Sequence, residues 1–212
     1  MTIVNRGVKG SALTHVELDG NFTDLVAADA TTDTAVAALA ARVTPLETTQ
    51  YSFGWEDYSS TSPALTPSAG VRTQVLNNGL GAFTNKLYKI PGRGDIWNTT
   101  SNSFDFSNAG LVLGDTVTLR LDFTVTTNAT TNGVVVELDL GTGASAYTLT
   151  LSSQDWRSSG TYNLTVVAEI YMGDTNTLNN LGKIFVSSDT TGESIVYNGH
   201  FVKYDLRTAS ST

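Results

Sequence analysis

The spacing of hydrophobic residues changes near residue 50, and this change constrains the fold more than any other feature of the chain. Before it, apolar residues recur every seven positions in two series that alternate at steps of three and four. After it, they occupy every second position of several segments. The first pattern is typical of a coiled-coil helix and the second of half-buried β-strands. The sequence therefore predicts two parts of different architecture.

The seven-residue spacing covers residues 18–47 and predicts a helix that pairs with other helices along a seam. The a positions are Phe22, Asp29, Val36 and Val43, and the d positions are Leu18, Leu25, Thr32, Leu39 and Leu46. A helix of this length measures roughly 40 Å. Because it has no broad apolar face for a monomer to bury, we expect its partners to be other copies of the chain. Pro45 is expected to end it, since proline cannot continue the backbone ladder.

Two seam positions carry polar side chains, Asp29 and Thr32. Polar layers lower the stability of a coiled coil but fix its register and strand number. Two alternatives remain open at this point. The segment is also compatible with an amphipathic helix packed on its own chain, or with two short helices broken between residues 29 and 33.

Residues 50–207 show the period-two pattern and predict a C-terminal antiparallel β-sandwich. Inward positions are expected at Val117, Leu119, Leu121, Phe123, Val125, Val134, Val136, Leu138, Leu140, Tyr147, Leu149, Leu151, Tyr162, Leu164, Val166, Ile170, His200, Val202, Tyr204 and Leu206. Eight to ten strands of this kind favour a two-sheet jelly roll. Asn132-Gly133 and Asn198-Gly199 are expected to form turns, so that a strand begins at His200. Residues 208–212 are interpreted as a flexible tail.

Charge and composition exclude several classes of function. The chain carries 12 basic and 20 acidic residues, a net charge of −8, and no cluster of lysine or arginine. Binding to nucleic acid or to an anionic membrane surface is therefore not expected. Cysteine is absent, which excludes disulfides and thiolate metal sites. The first residues do not resemble a secretion signal, and no stretch approaches the roughly 18 apolar residues of a membrane span.

The first 20 residues form a short polar arm with one helix-start signal. Thr14 is followed three residues later by Glu17, which is the spacing of a capping box. The helix is therefore expected to start close to residue 14.

The stretch NRGVKGSALTHVELDGNFTDL, residues 5–25, resembles a segment at the start of many bacteriophage tail-fibre and related virion proteins. In that family the segment is an attachment arm that leads into a trimeric stalk. The resemblance implies that the residues matching the family's pattern seat the arm on the particle or begin the coiled coil. These positions are Leu13, Thr14, His15, Glu17, Asp19, Asn21 and Phe22.

A second resemblance concerns the head. Residues 95–125 and the NGHFVKYDLR stretch are similar to compact jelly-roll domains of marine phage fibres, which resemble trimeric heads of the tumour-necrosis-factor or complement-globular type. The resemblance implies a homotrimer. Phage proteins use such arms on tail fibres, head fibres and capsid decorations, so the arm indicates a virion more firmly than a tail.

The sequence offers little for catalysis, and we expect no enzymatic activity and no cofactor or bound metal. The only histidines are His15 and His200, and neither lies in a catalytic motif. Loops 173–180 and 187–194 cluster side-chain oxygens that calcium favours, without EF-hand spacing, and the question of calcium stays open. Trp156 lies in a polar loop and is expected to be exposed, which makes it the candidate receptor contact.

These observations predict a structural phage protein made of an N-terminal arm (1–20), a trimeric coiled-coil neck (18–47) and a jelly-roll head (50–207). It would be anchored to tail or capsid proteins and display the head for attachment to a host glycan or protein. The alternative is a capsid decoration, or cement, protein or a head fibre.

Overall fold

In the computed structural model, which describes residues 10–48, 53–128 and 132–207, Met1–Gln50 and Tyr51–Thr212 form separate units. The first contains helix α1, which spans His15–Thr48 without interruption. The alternative of two short helices broken between residues 29 and 33 is therefore wrong. Neither helix in the described residues has the length and hydropathy of a membrane-spanning helix.

The start of α1 is the capping box expected from the sequence. The Glu17 amide donates to Thr14 Oγ1 at 3.3 Å, and the Thr14 amide donates to Glu17 Oε2 at 2.7 Å. These reciprocal bonds satisfy backbone donors that have no partner in the first turn of a helix.

The end of α1 differs from the prediction, because the helix continues through Pro45 to Thr48. Proline at position 45 removes one ladder bond, the one its amide would donate to Ala41. Only three residues follow Pro45 in the helix, so the loss is confined to the last turn. Helix ends are also the part of an assignment that varies by one or two residues.

In its described residues the second unit contains ten strands, one short α-helix and a 3-10 helix at Gly143–Ser145. The strands and the α-helix are β1 (Phe53–Ser59), β2 (Thr73–Gln74), β3 (Trp97–Asn98), β4 (Ser103–Phe104), β5 (Thr116–Thr127), β6 (Asn132–Leu140), β7 (Tyr147–Trp156), β8 (Gly160–Tyr171), α2 (Thr175–Asn179), β9 (Lys183–Ser188) and β10 (Ser194–Asp205). We call this unit the head.

Eight of these strands form two four-stranded sheets. The front sheet has the order β1-β10-β5-β8 and the back sheet the order β2-β9-β6-β7, with β3 and β4 as a separate hairpin. All of their pairings are antiparallel. When the eight strands outside the β3–β4 hairpin are numbered 1 to 8 along the chain, the orders of the two sheets are 1-8-3-6 and 2-7-4-5. This alternation between sheets is the topology of a jelly roll, as the sequence predicts.

The core lies between the two sheets and follows the predicted alternation. In β5 and β6 every second residue is buried and faces the opposite sheet: Val117, Leu119, Leu121, Phe123, Val125, Val134, Val136, Leu138 and Leu140. The segment between β2 and β5, which includes the β3–β4 hairpin, adds a second group of buried residues: Val75, Ile90, Ile96, Trp97, Phe104 and Phe106. Burial of this apolar area is the main stabilising term of the head.

Two expected turns lie inside strands. Asn132-Gly133 belongs to β6, and Asn198-Gly199 belongs to β10, where the pairing with β5 shifts register between Tyr197 and Gly199. The second site is a β-bulge, and Gly199 has a φ of 145° that favours glycine. His200 therefore lies inside a strand rather than at its start. At the beginning of β7, Tyr147 is exposed instead of inward.

Candidate interaction surfaces

The apolar seam of α1 is exposed in the single chain. Five of its residues have exposed fractions between 40% and 67%: Leu18, Phe22, Leu25, Val36 and Leu39. Val26, directly after the d position Leu25, is also exposed and widens the stripe. Side chains of Val43 and Leu46 lie outside the described residues. Exposed large apolar residues grouped in this way are typical of interaction sites.

The two polar seam positions are exposed as well. Thr32 Oγ1 donates to the carbonyl of Ala28 at 3.0 Å, so its hydroxyl is satisfied within the helix. Asp29 lies one turn earlier on the same stripe. Burying Thr32 in a helix–helix contact therefore costs little free energy, whereas burying Asp29 would place one carboxylate per chain in that contact.

The residues predicted to anchor the arm lie around the first two turns of α1. Leu13 and Thr14 precede the helix, His15 is its first residue, and the others follow within it. Thr23 Oγ1 donates to the carbonyl of Asp19 at 2.8 Å, and Phe22 is exposed. The role of these arm residues in anchoring the chain stays a prediction.

The outer face of the front sheet carries an aromatic patch on the side of β1. Trp55 stacks on Tyr88 with ring centroids 4.4 Å apart and lies 5.5 Å from the ring of Phe201. Phe53 is 54% exposed beside them, with Lys203 over its ring at 5.7 Å. We call Phe53, Trp55, Tyr88 and Phe201 the aromatic patch.

A second apolar area lies at the opposite edge of the same face, on β8. Val167 is 66% exposed and Tyr171 is 61% exposed. Both occupy positions where the alternation of β8 places polar side chains, such as Thr165 and Glu169. The sequence does not group these residues into patches, and apolar residues at outward positions of an alternating strand are the signal for them.

The outer face of the back sheet carries a group of charges that are paired within the chain. Arg72 bonds to Glu137 Oε2 and Asp139 Oδ1, both at 2.6 Å, and lies 4.4 Å from the centroid of the Phe185 ring. The hydroxyl of Thr148 donates to Asp139 at 2.6 Å. Arg72, Glu137, Asp139 and Thr148 therefore satisfy one another on this face.

The lateral edges of the front sheet also differ. The edge of β1 is covered by residues 84–89: the amides of Asp57 and Asn85 each donate to the other residue's carbonyl at 2.8 Å, and the Trp55 amide donates to Tyr88 at 3.3 Å. The far edge of β8 pairs with no strand of the described residues. Of its 12 residues, Glu169 alone is charged.

Trp156, the candidate receptor contact, is half-buried rather than exposed. Its ring stacks on Tyr162 with centroids 5.4 Å apart, and it packs against the core. The polar residues that surround it in the sequence suggested a loop, but Trp156 ends β7. Its role as a receptor contact stays a prediction.

The two histidines lie in different surroundings. His15 begins α1 and is exposed. His200 is buried among aromatic rings, and its Nδ1 lies 2.9 Å from the Tyr197 hydroxyl and 3.2 Å from Asn77 Nδ2. Burial lowers the pKa of His200 to about 3. A histidine enclosed in this way has no access to a substrate.

A buried carboxylate, Glu56, lies in the same end of the core. Its Oε2 accepts the Tyr58 hydroxyl and the Ile96 amide, the latter at 3.4 Å, while Oε1 has no hydrogen-bond partner among the described residues. Burial raises the pKa of Glu56 above its usual range. Glu56 therefore ties β1 to the chain that enters β3.

The loops considered for calcium use their oxygens inside the chain. Asp174 caps α2 by accepting the Thr177 amide at 2.7 Å. Asp189 accepts the Gly133 amide at 2.8 Å, and the buried carboxylate of Glu193 accepts the hydroxyl of Ser188. In the part of the chain that the structure describes, no group of three or more His, Asp or Glu side chains is placed to hold a metal ion.

Comparisons with known proteins give likenesses of fold only. No family model and no curated protein matches the chain. Among solved structures, Eiger TNF from S. frugiperda is 12% identical with a TM-score of 0.43, covering 76% of this chain and 97% of its own. The CBM22-1 xylan-binding domain of Xyn10C from Paenibacillus barcinonensis is 8% identical with a TM-score of 0.38, covering 73% and 94%.

A chain of the cowpea mosaic virus top component is 12% identical with a TM-score of 0.28, covering 76% of this chain and 86% of its own. All of these identities and TM-scores are low. The jelly-roll assignment therefore rests on the strand order of the head itself.

Proposed function

We propose that this chain is a homotrimeric structural protein of a bacteriophage particle. The N-terminal arm attaches it to other virion proteins, α1 holds three chains in register, and the jelly-roll head is displayed outward for attachment to a host surface. It acts by binding without catalytic turnover, and it needs no cofactor.

The observation that carries the proposal is the exposed seam of α1. Leu18, Leu25 and Leu39 are large apolar side chains at heptad spacing, and each is exposed in the single chain. Isolated helices gain little from propensity alone, so a 34-residue helix of this kind needs partners along its apolar stripe. Three parallel copies would supply them and would place three arms together at one end.

A trimer also suits attachment. Three heads present three copies of any host-binding surface, and simultaneous contacts raise the effective affinity well above that of a single head. The net charge of −8 favours a protein or neutral glycan on the host surface over nucleic acid.

Sedimentation velocity of the full chain tests the assembly. We expect a species with three times the monomer mass of 22.5 kDa. The double variant Leu25→Lys/Leu39→Lys should dissociate, because it places charges on the seam. Ala37→Lys, which is exposed and off the seam, should remain trimeric. A wild-type chain that sediments as a monomer at micromolar concentration would contradict the proposal.

Immunogold labelling of intact particles with antibody to residues 53–207 tests the location. Gold at the tail or its collar supports the fibre. Gold spread over the capsid supports the decoration protein or head fibre, which would use the same arm and trimer. Unlabelled particles would contradict both.

A further inference from the structure

We propose that residues 76–89 form a strap over the edge of β1, and that protonation of His200 releases this strap. The strap is the stretch of chain between Val75 and Ile90, two buried core residues that mark its ends. It belongs to a single head, so its release does not depend on the proposed trimer.

The strap lies on the side of β1 that faces away from β10, where the front sheet ends. The amides of Gly81 and Asn85 donate to carbonyls of β1 at 3.1 and 2.8 Å. The amides of Trp55 and Asp57 donate back to carbonyls of the strap at 3.3 and 2.8 Å. Release of the strap would therefore leave this side of β1 open to solvent or to another strand.

Apolar packing contributes little to holding the strap in place. Its large apolar residues are 38–87% exposed: Leu76, Leu80, Phe83, Leu87 and Tyr88. Tyr88 stacks on Trp55, but at the surface of the head. Asn77 is the one residue within 76–89 that is buried. Segments that bury few apolar side chains open locally at a lower free energy than the whole domain, so Asn77 is the main attachment of the strap.

Asn77 connects the strap to three strands. Its Nδ2 donates to the Tyr58 carbonyl of β1 at 3.0 Å and lies 3.2 Å from His200 Nδ1 of β10. Its main-chain carbonyl accepts Trp97 Nε1 of β3 at 3.1 Å, and its Oδ1 accepts the Gly79 amide at 2.8 Å. Both ends of the Asn77 side-chain amide are thus already in use.

A proton on His200 Nδ1 is incompatible with this arrangement. The Tyr197 hydroxyl, 2.9 Å from Nδ1, can turn to accept that proton, whereas the NH2 group of Asn77 can only donate. Turning the Asn77 amide to present Oδ1 would leave the Tyr58 carbonyl and the Gly79 amide without their partners. Because unpartnered buried polar groups cost free energy, protonation of His200 favours withdrawal of Asn77 and of the strap that it holds.

The surroundings of His200 do not offset a positive charge. The titratable side chains that face it are Tyr58 on β1 and Tyr197 on β10, and both phenols are neutral at acid pH. Two aromatic rings of the β3–β4 hairpin also enclose it. Glu56 accepts the Tyr58 hydroxyl, but burial raises the pKa of this carboxyl and favours its neutral form in acid. Opening of the strap, which brings water to the ring, is the available way to solvate the charge.

Hydrogen exchange of the full chain at pH 7 and pH 5 tests the release. The reporting amides are those of Trp55, Asp57, Gly81 and Asn85, and the amides of β6 serve as the reference. The pKa of His200 is about 3 when it is buried and 6.5 when it is solvated. Relative to their intrinsic rates, the four reporting amides should therefore exchange about 25-fold faster at pH 5 than at pH 7. The amides of β6 should remain better protected than these four at both pH values.

Two variants assign the effect to one side chain. His200→Gln, which cannot be protonated, should remove the pH response of the four amides. His15→Gln changes the other histidine, which lies on α1, and should keep the response.

Three outcomes would overturn the proposal. In the first, the protection of the four amides is the same at pH 7 and pH 5. In the second, the four amides and those of β6 are equally protected, which means that the strap opens only when the whole head unfolds. In the third, His200→Gln keeps the pH response. The first two comparisons use the wild-type chain, so they stand even if His200→Gln does not fold.

Discussion

Asn77 Nδ2 lies 3.2 Å from His200 Nδ1, and this contact fixes which ring nitrogen of His200 carries the proton. Asn77 Oδ1 accepts the Gly79 amide at 2.8 Å, so the amide group must present its nitrogen to the histidine. Nδ1 is then an acceptor and the proton is on Nε2. That nitrogen has no hydrogen-bond partner among the described residues and lies among aromatic rings.

His200 should make the head lose stability at acid pH. Its folded pKa of about 3 lies below the unfolded value of 6.5, so the unfolded chain binds a proton that the folded chain excludes. The contribution of neutral His200 to the free energy of unfolding is fully present above pH 6.5. It falls as the pH drops toward 3, by up to on the order of 4 kcal/mol. Urea unfolding between pH 7 and 4 measures this loss.

His200→Gln is the matched variant, because glutamine keeps an acceptor for Asn77 but cannot be protonated. We expect it to be less stable than the wild type at pH 7 and to show a flatter pH profile. If the free energy of unfolding of the variant falls with pH as steeply as that of the wild type, the acid sensitivity belongs to other groups.

Glu56 should have the opposite effect on the pH dependence of the stability of the head. Burial raises its folded pKa above 4.5, so the folded chain keeps a proton that the unfolded chain has lost. This contribution is complete below pH 4.5 and is lost as the pH rises through the folded pKa. Glu56→Gln mimics the protonated form and should gain stability relative to the wild type between pH 4 and 8. If the free energies of unfolding of Glu56→Gln and the wild type differ by the same amount throughout this pH range, the prediction is contradicted.

Gly199→Ala should destabilise the head by roughly 2–4 kcal/mol, because a Cβ at the bulge would meet backbone atoms. It would lie 2.3 Å from the carbonyl oxygen of Tyr58 and 2.7 Å from Ser59 Cα, on a residue with a φ of 145°. Gly143→Ala is the control: its φ is 65°, but the space around it is open, and the expected cost is about 1 kcal/mol. Chemical denaturation of the two variants compares them, and equal losses would mean that β10 shifts to admit the methyl group.

Asp29→Val should stabilise the trimer by roughly 1 kcal/mol per chain, since it replaces a seam carboxylate by an apolar side chain. Asp33→Val, which lies off the seam, should give no gain. Thermal melts followed by circular dichroism separate the two. A gain from both variants would point to helix propensity or net charge instead of a seam contact.

The sequence predicts those features that depend on local patterns. The capping box of Thr14 and Glu17 and the alternation of Val117 to Val125 follow from spacing alone, and both are confirmed. Asn198-Gly199 could not be read correctly, because the same dipeptide suits a hairpin turn and a bulge. The choice between them depends on Ser59 and Asp122, which pair with Gly199 from the two neighbouring strands.

The surfaces were harder to predict than the core. Val167 and Phe53 belong to segments far apart in the chain, and only strand pairing places them on one face. Trp156 was expected to be exposed because its neighbours are polar, yet Tyr162 covers it from the next strand. Strand pairing between distant segments decides the first case, and a ring contact between β7 and β8, which belong to different sheets, decides the second.

The covering of β1 by residues 84–89 has a mechanical consequence. The chain enters the head at Phe53, so a pull on the N-terminal side loads β1 before any other strand. Hydrogen bonds to β10 hold β1 on one side, and those of Trp55, Asp57 and Asn85 hold it on the other. The first strand to bear the load is thus hydrogen-bonded along both of its sides, and peeling it away requires both sets of bonds to break.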